Sequence, residues 1–164
     1  MLARVAEGNR IIEHPNRDKP ASQATRALVV ALLLISAAVL TIATVGGWEK
    51  IQGAKPLHVA YILIYLVLAF FIVRWRSGLL PVAASFAIIL LIFCAISGAQ
   101  WFDRDSAGFD DPLLSATVIG VLTLLLVPLQ LVLIAAAARG FSQKWSVEVE
   151  RRSDGRPPYV ARPR

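Results

Sequence analysis

The segment DRDSAGFDD, residues 103–111, places four carboxylates in nine residues between two long apolar runs. Its spacing partly matches the calcium loop of an EF-hand, with Asp103 at the first ligand position, Asp105 at the third and a glycine at the sixth. The fifth position is Ala107, and the twelfth, which normally supplies a bidentate glutamate, is Leu114. Because two ligands are missing, we expect no EF-hand site here. A weak site that fills only at extracellular calcium concentrations stays open as an alternative.

Helix capping explains the last two acids of this segment. Asp111 precedes Pro112, and an aspartate followed by proline is typical of the N-cap and first position of a helix. Asp110 adds negative charge near the positive end of the helix dipole. Trp101 and Phe102 are expected to anchor the chain at the lipid headgroups. The segment is therefore predicted to be a solvated turn that leads into a helix.

Five polar residues inside the apolar runs are candidate ligand contacts. His58, Tyr61 and Tyr65 are spaced so that they share one helix face. Two interpretations remain open for them. In the first, they contact a quinone or haem, or His58 is a pH-sensitive group. In the second, His58 bonds to a neighbouring helix and the tyrosines pack below it. Gln130 and Thr123 lie on much the same face of the fourth run, where they either bond another helix or form a polar notch for a solute.

The middles of the apolar runs contain no charged residue. Proton relays, voltage sensors and ion-coupled pumps keep ionisable groups there, so these functions are not expected. The sequence has no phosphate-binding glycine loop, no HExxH motif and no nucleophile elbow. Its single cysteine, Cys94, has no partner for an intramolecular disulfide or a thiolate cluster. We therefore expect no enzymatic activity, no catalytic or metal-binding residues and no cofactor.

The distribution of apolar residues indicates a membrane protein. Of the 164 residues, 57% are apolar, and almost all charges lie between four apolar runs or at the chain ends. Each run is about long enough to cross a hydrocarbon core of about 30 Å. The predicted spans are residues 27–45, 56–73, 79–99 and 113–138, within a transmembrane domain over 26–138 that is flanked by cytoplasmic basic tails over 1–25 and 139–164.

Local signals refine this outline. Gly46 and Gly47 predict the end of the first helix, and Pro128 predicts a kink in the fourth because it removes a backbone donor. The stretch WSVEVERR, residues 145–152, alternates apolar and polar residues as a strand does. One interpretation is a strand that pairs with a partner chain. The favoured interpretation is instead a partly disordered basic tail near anionic lipid.

The basic residues predict the orientation of the chain. Of the 17 Lys and Arg residues, 14 lie in the two tails and in the turn between the second and third runs, whereas Lys50, Lys55 and Arg104 lie on the other side. Both termini are therefore predicted to be cytoplasmic. The net charge of +6 follows from this bias, so no nucleic-acid partner is expected. The two outer connections share Gly, Trp, Gly and Pro-Leu-x-x-Ala in that order, which suggests two tandem hairpins of the same orientation.

The sequence thus predicts an all-α protein with four transmembrane helices. An excess of Arg over Lys and abundant Ala favour the inner (plasma) membrane of a bacterium. The first functional hypothesis is a non-catalytic accessory, assembly or stabilising subunit, whose partners are lipid and other membrane subunits or copies of itself. The second is a small oligomeric channel or permease for a neutral or apolar solute, lined by Thr123, Gln130 and Pro128. The third is a quinone- or lipid-binding protein that uses His58 and the tyrosines.

Overall fold

Four long α-helices dominate the computed structural model, which describes residues 10–103 and 113–152. All four are long and apolar enough to cross a membrane, which confirms the prediction of four spans. Two short strands pair antiparallel, with Glu13 opposite Val149. In chain order the elements are β1 (Arg10–Glu13), α1 (Pro20–Gly46), α2 (Lys55–Val73), α3 (Leu80–Gln100), α4 (Ala116–Ser142) and β2 (Val149–Arg152). Single 3-10 turns lie at Trp48–Lys50, Gln52–Ala54, Ser77–Leu79 and Trp101–Asp103.

Large apolar side chains cover the outside of the helices, while small and polar side chains lie between them beside the large apolar residues of the core. Leu63, Ile96 and Val121 are more than half exposed, whereas Ser36 and Ala83 are fully buried. Because lipid tails are as apolar as leucine, membrane helices associate through close packing of small residues and interhelical hydrogen bonds. An apolar exterior of this extent is suited to the hydrocarbon of a bilayer.

The helices do not pack evenly around the bundle. α1 packs against α2 and α4, and α4 packs against α3, whereas α2 and α3 touch little. One core cluster runs along the bundle and includes Leu33, Tyr65 and Leu133. A second, smaller cluster lies at the end where α1 leads into α2. We call this the distal end, and we call the opposite end, with β1, β2 and the α2–α3 turn, the strand end.

The glycines at the end of α1 allow a close approach to the start of α4. α1 ends at Gly46, as the sequence predicts, and Gly47 follows with an ordinary negative φ of −106°. A Cβ atom on Gly46 would lie 2.7 Å from Leu114 Cγ and 3.0 Å from Leu114 Cβ. The Leu114 amide also donates a 3.1 Å hydrogen bond to the Gly46 carbonyl. The absent side chain therefore lets these two segments meet.

The fourth helix begins later than the sequence suggests. It starts at Ala116 rather than Leu113, and the Ser115 hydroxyl accepts a 3.4 Å hydrogen bond from the Val118 amide as the N-cap. The structure therefore gives Ser115 as the N-cap of this helix, whereas Asp111, the cap that the sequence suggests, lies outside the described residues. The physical reason is that Ser115 is itself a good capping residue and lies directly before the first helical turn.

The prediction that Trp101 anchors the chain at the lipid headgroups is wrong. Trp101 is 5% exposed and packs with Ile51 and Ile119 in the smaller core cluster, while Phe102 is 43% exposed. The indole is buried because the start of α4 packs directly against it. Residues 104–112 lie outside the described residues, so the interpretations of the acidic segment stay predictions.

The segment after α4 folds back over the N-terminal segment. Trp145 is fully buried, and its ring meets that of Trp75 edge to face, with centroids 5.4 Å apart. Beyond it β2 pairs with β1. The interpretation of residues 145–152 as part of a disordered tail is therefore wrong. The strand is also shorter than the WSVEVERR pattern suggests, because Trp145 lies in a turn. Residues 153–164 lie outside the described residues.

Hydrogen bonds hold the segment after α4 against the start of α1. They explain why α1 begins at Pro20, well before residue 27, where the first predicted span begins. Trp145 Nε1 donates to Gln143 Oε1 (2.9 Å), and Gln143 Nε2 donates to Thr25 Oγ1 (3.0 Å). Arg17 Nε donates to the Trp145 carbonyl (3.1 Å). The polar first turns of α1 are therefore covered by protein, and they extend the helix beyond its purely apolar part.

Candidate functional site

A pocket of about 160 Å³ lies among all four helices near the distal end. Most of its lining is apolar, with Leu40 and Leu126 among the lining residues. An apolar pocket with a few convergent polar groups is the usual form of a small-molecule site. The polar side chains that line it are His58, Tyr61, Cys94, Ser97 and Thr123.

The pocket opens on the side of the bundle where α2 and α3 touch little. Leu57 on α2 and Phe93 on α3 both line the pocket, and they are 44% and 47% exposed. Deeper in the bundle the Tyr61 and Phe86 rings meet edge to face across the gap, with centroids 5.9 Å apart. The opening is therefore lateral and faces the region that lipid chains would occupy.

His58 is held in place by α1. Its Nδ1 lies 3.0 Å from Thr44 Oγ1, and the Thr44 hydroxyl donates a 2.6 Å hydrogen bond to the Leu40 carbonyl. The bond to a neighbouring helix, one of the two interpretations from the sequence, is thus present. The same imidazole also lines the pocket, so a structural bond and a ligand contact are compatible.

The two tyrosines on the His58 face have different surroundings. Their rings meet edge to face, with centroids 6.1 Å apart. Tyr61 lines the pocket, whereas Tyr65 is fully buried and its hydroxyl donates a 2.7 Å hydrogen bond to Gln130 Oε1. Gln130 Nε2 donates a 3.0 Å hydrogen bond to Ser36 Oγ. Tyr65 and Gln130 therefore join three helices and are not among the pocket residues.

The polar residues of α4 are also divided between pocket and core. Thr123 lines the pocket, and its hydroxyl donates a 2.8 Å hydrogen bond to the Ile119 carbonyl of its own helix. Gln130 lies seven residues further along, in the buried hydrogen-bonded group. Pro128 is exposed on the outside of α4, and the predicted kink there stays a prediction.

Two residues of α3 complete the pocket although no sequence pattern assigns them to a ligand site. Cys94 is buried with a free thiol, and Ser97 lies one helical turn further along. With Gly98 they form a face of small side chains in a run rich in Ile, Leu and Phe. Small residues mark the protein-facing side of a membrane helix, and this is the signal that points to them.

The donor set of the pocket suits an organic ligand better than a metal ion. In the part of the chain that the structure describes, no three His, Cys, Asp or Glu side chains come close enough to hold a metal. No protein-family model matches this sequence, and the comparisons with curated proteins and with solved structures give no match.

Proposed function

We propose that the protein binds a small lipophilic molecule from the membrane and does not transform it chemically. The lateral pocket between α2 and α3 carries this proposal. A dry cavity of about 150 Å³ holds one benzene ring, so the pocket volume of about 160 Å³ fits a single ring or a short chain segment. The rest of a larger ligand would extend through the opening into lipid.

The position of Gln130 favours this proposal over an oligomeric pore. A pore between subunits needs polar groups on the outer surface of each subunit. Gln130 is instead enclosed among the helices of one chain, where Tyr65 and Ser36 satisfy its amide. Pro128 is exposed, but it is surrounded on α4 by exposed apolar residues such as Leu125 and Leu131. This face suits lipid rather than an aqueous path.

Ring binding in lipid nanodiscs tests the proposal. The probe is 4-fluorotoluene, and fluorine NMR detects its binding. Ser97→Leu is expected to fill the pocket and to weaken saturable binding of the probe at least about tenfold. The control is Ser85→Leu, the same change on an exposed face of α3. Saturable binding that survives Ser97→Leu, or uptake no greater than that of empty nanodiscs, would contradict the proposal.

An accessory subunit of a larger complex is the second candidate function. It is supported by the same opening, because an apolar side chain from a neighbouring helix would also fit between Leu57 and Phe93. A photo-crosslinking amino acid at Phe93, in cells at native expression, tests this with mass spectrometry and native-gel sizing. One stoichiometric membrane partner, captured from Phe93 but not from exposed Ile88, is expected. Crosslinks only to lipid would count against it.

We also propose that the strand end faces the cytoplasm of a bacterial cell, as the positive-inside bias predicts. Pairing of β1 with β2 supports placing both tails on the same side. In a Cys94→Ala background, Gly53→Cys and Gly78→Cys report the two ends, since both positions have open space. An impermeant maleimide should label residue 53 in cells with an intact inner membrane and residue 78 only after permeabilisation. The reverse pattern would refute this orientation.

A further inference from the structure

The hydrogen bonds of Thr44 determine where the proton of its hydroxyl lies. Thr44 Oγ1 is 2.6 Å from the Leu40 carbonyl oxygen and 3.0 Å from His58 Nδ1. The carbonyl has no hydrogen of its own, and threonine in a helix commonly donates to the carbonyl four residues back. The single hydroxyl hydrogen therefore lies on the shorter bond to Leu40, and a lone pair of Thr44 Oγ1 faces His58.

This arrangement selects one tautomer of His58. Because Thr44 accepts, His58 Nδ1 must carry a hydrogen and donate it. None of the described pocket residues is a carboxylate, so none of them would offset the charge of an imidazolium among these mostly apolar side chains. The neutral ring then has its lone pair on Nε2. Thr44 is the one hydrogen-bond partner of His58 among residues 10–103 and 113–152, so Nε2 is left to accept.

From this geometry we infer that the pocket recognises the hydroxyl group of a lipophilic phenol or alcohol, with His58 Nε2 as the acceptor. The inference rests on the proposed function and adds the chemical class of the ligand. A ring that carries only carbonyl oxygens would place an acceptor against an acceptor. A pure hydrocarbon would leave Nε2 unpaired in an apolar pocket, which is also unfavourable. The ring of the ligand would lie among the apolar lining residues.

The first test reads the tautomer directly. The chain has two histidines, so His14→Gln leaves His58 as the sole imidazole for nitrogen NMR of histidine-labelled protein in nanodiscs. The expected spectrum has a pyrrole-like Nδ1 and a pyridine-like Nε2. The opposite assignment would mean that Thr44 donates to His58 and would overturn the inference.

The second test compares two ligands of nearly the same shape. At equal concentration in the bilayer, 4-fluorophenol should bind about tenfold more tightly than 4-fluorotoluene, because the hydroxyl replaces a methyl group and gains one hydrogen bond. Thr44→Val removes the hydroxyl that orients His58 and should reduce this preference. Thr41→Val is the matched control, since the Thr41 hydroxyl makes the same type of bond to the Ala37 carbonyl on an exposed face.

The outcomes separate this inference from the proposed function. Equal saturable binding of the two probes would overturn hydroxyl recognition and leave the lipophilic pocket standing. An unchanged preference in Thr44→Val would also overturn it, because the tautomer would then not depend on Thr44. Saturable binding of neither probe would overturn the proposed function itself.

Discussion

The hydroxyl of Tyr65 donates a 2.7 Å hydrogen bond to Oε1 of Gln130, between two side chains that are both fully buried. Gln130 then donates through Nε2 to Ser36, so one amide joins α4 to α2 and to α1. In a membrane, where water cannot satisfy a buried amide, such a group must find partners on neighbouring helices. The role that this position supports is helix association.

We therefore predict that Gln130→Leu and Tyr65→Phe each lower the free energy of unfolding. The expected loss is about 1 to 2 kcal/mol for Gln130→Leu, because the Tyr65 hydroxyl loses its acceptor. The double variant should lose less than the sum of the two single losses, by about 0.6 kcal/mol and at most about 1.7 kcal/mol, the average and the maximum found for interhelical hydrogen bonds. Reversible unfolding in detergent measures the cycle, with exposed Gln100→Leu as the control. Strict additivity would show that the bond contributes nothing.

A second prediction concerns the contact between α1 and the chain before α4. Gly46→Ala places a methyl group against Leu114, whose Cγ and Cβ would lie 2.7 and 3.0 Å away. Overpacking of this kind typically costs about 1 to 3 kcal/mol. Gly78→Ala is the control: its new methyl group meets nothing within 4 Å, and it is expected to stabilise the protein by up to about 1 kcal/mol. Equal effects of the two changes on thermal unfolding would argue against a tight α1–α4 contact.

The sequence predicts the four spans because runs of about 20 residues without charge have few alternatives to crossing a membrane. It does not predict where α1 begins, because the polar residues Ser22 and Thr25 are buried by a segment more than 100 residues away. Hydropathy cannot detect such a long-range contact. The same limit explains why Trp145 is misplaced in a tail.

The sequence predicts only part of the candidate site, because the rest depends on how the helices pack against one another. The spacing of His58 and Tyr61 places both on the inner face of α2, and both line the pocket. The partners of Gln130 and the contribution of Cys94 depend on which face of each helix is turned inward. Helices that are apolar on all sides give only weak signals of this, through their small residues.

A third prediction concerns two residues with positive φ. Trp75 (φ 63°) and Lys144 (φ 49°) follow the C-caps of α2 and α4, where glycine is usual. At the end of α2 the Trp75 amide donates to the Ile72 carbonyl, as in a Schellman motif. A left-handed conformation costs a residue with a side chain about 1 to 2 kcal/mol. Lys144→Gly is therefore expected to raise the free energy of unfolding by about 1 kcal/mol, as measured by reversible unfolding in detergent.

Trp75 should respond differently because its side chain is used. The Arg26 guanidinium lies 4.1 Å from the centre of its ring, and the rings of Trp75 and Trp145 meet edge to face. We expect both Trp75→Gly and Trp75→Ala to destabilise the protein in the same unfolding experiment, with glycine the better tolerated by about 1 kcal/mol because it adopts positive φ without strain. If alanine were tolerated as well as glycine, the strained backbone would have to relax in the variant.

The last prediction concerns Trp145, which links the chain segment that carries β2 to the helix bundle. Its ring is fully buried between Trp75 and Gly140, and a Cβ atom on Gly140 would lie 3.1 Å from Trp145 Cζ2. Removing a buried aromatic side chain typically costs about 3 to 5 kcal/mol, and here the loss would also free the chain that carries β2. We expect Trp145→Ala to speed tryptic cleavage after Lys144 many-fold. Trp48→Ala is the control, since Trp48 is 41% exposed and its ring lies 4.6 Å from the Lys55 ammonium. Similar cleavage in the two variants would show that β1–β2 pairing holds the segment without its tryptophan.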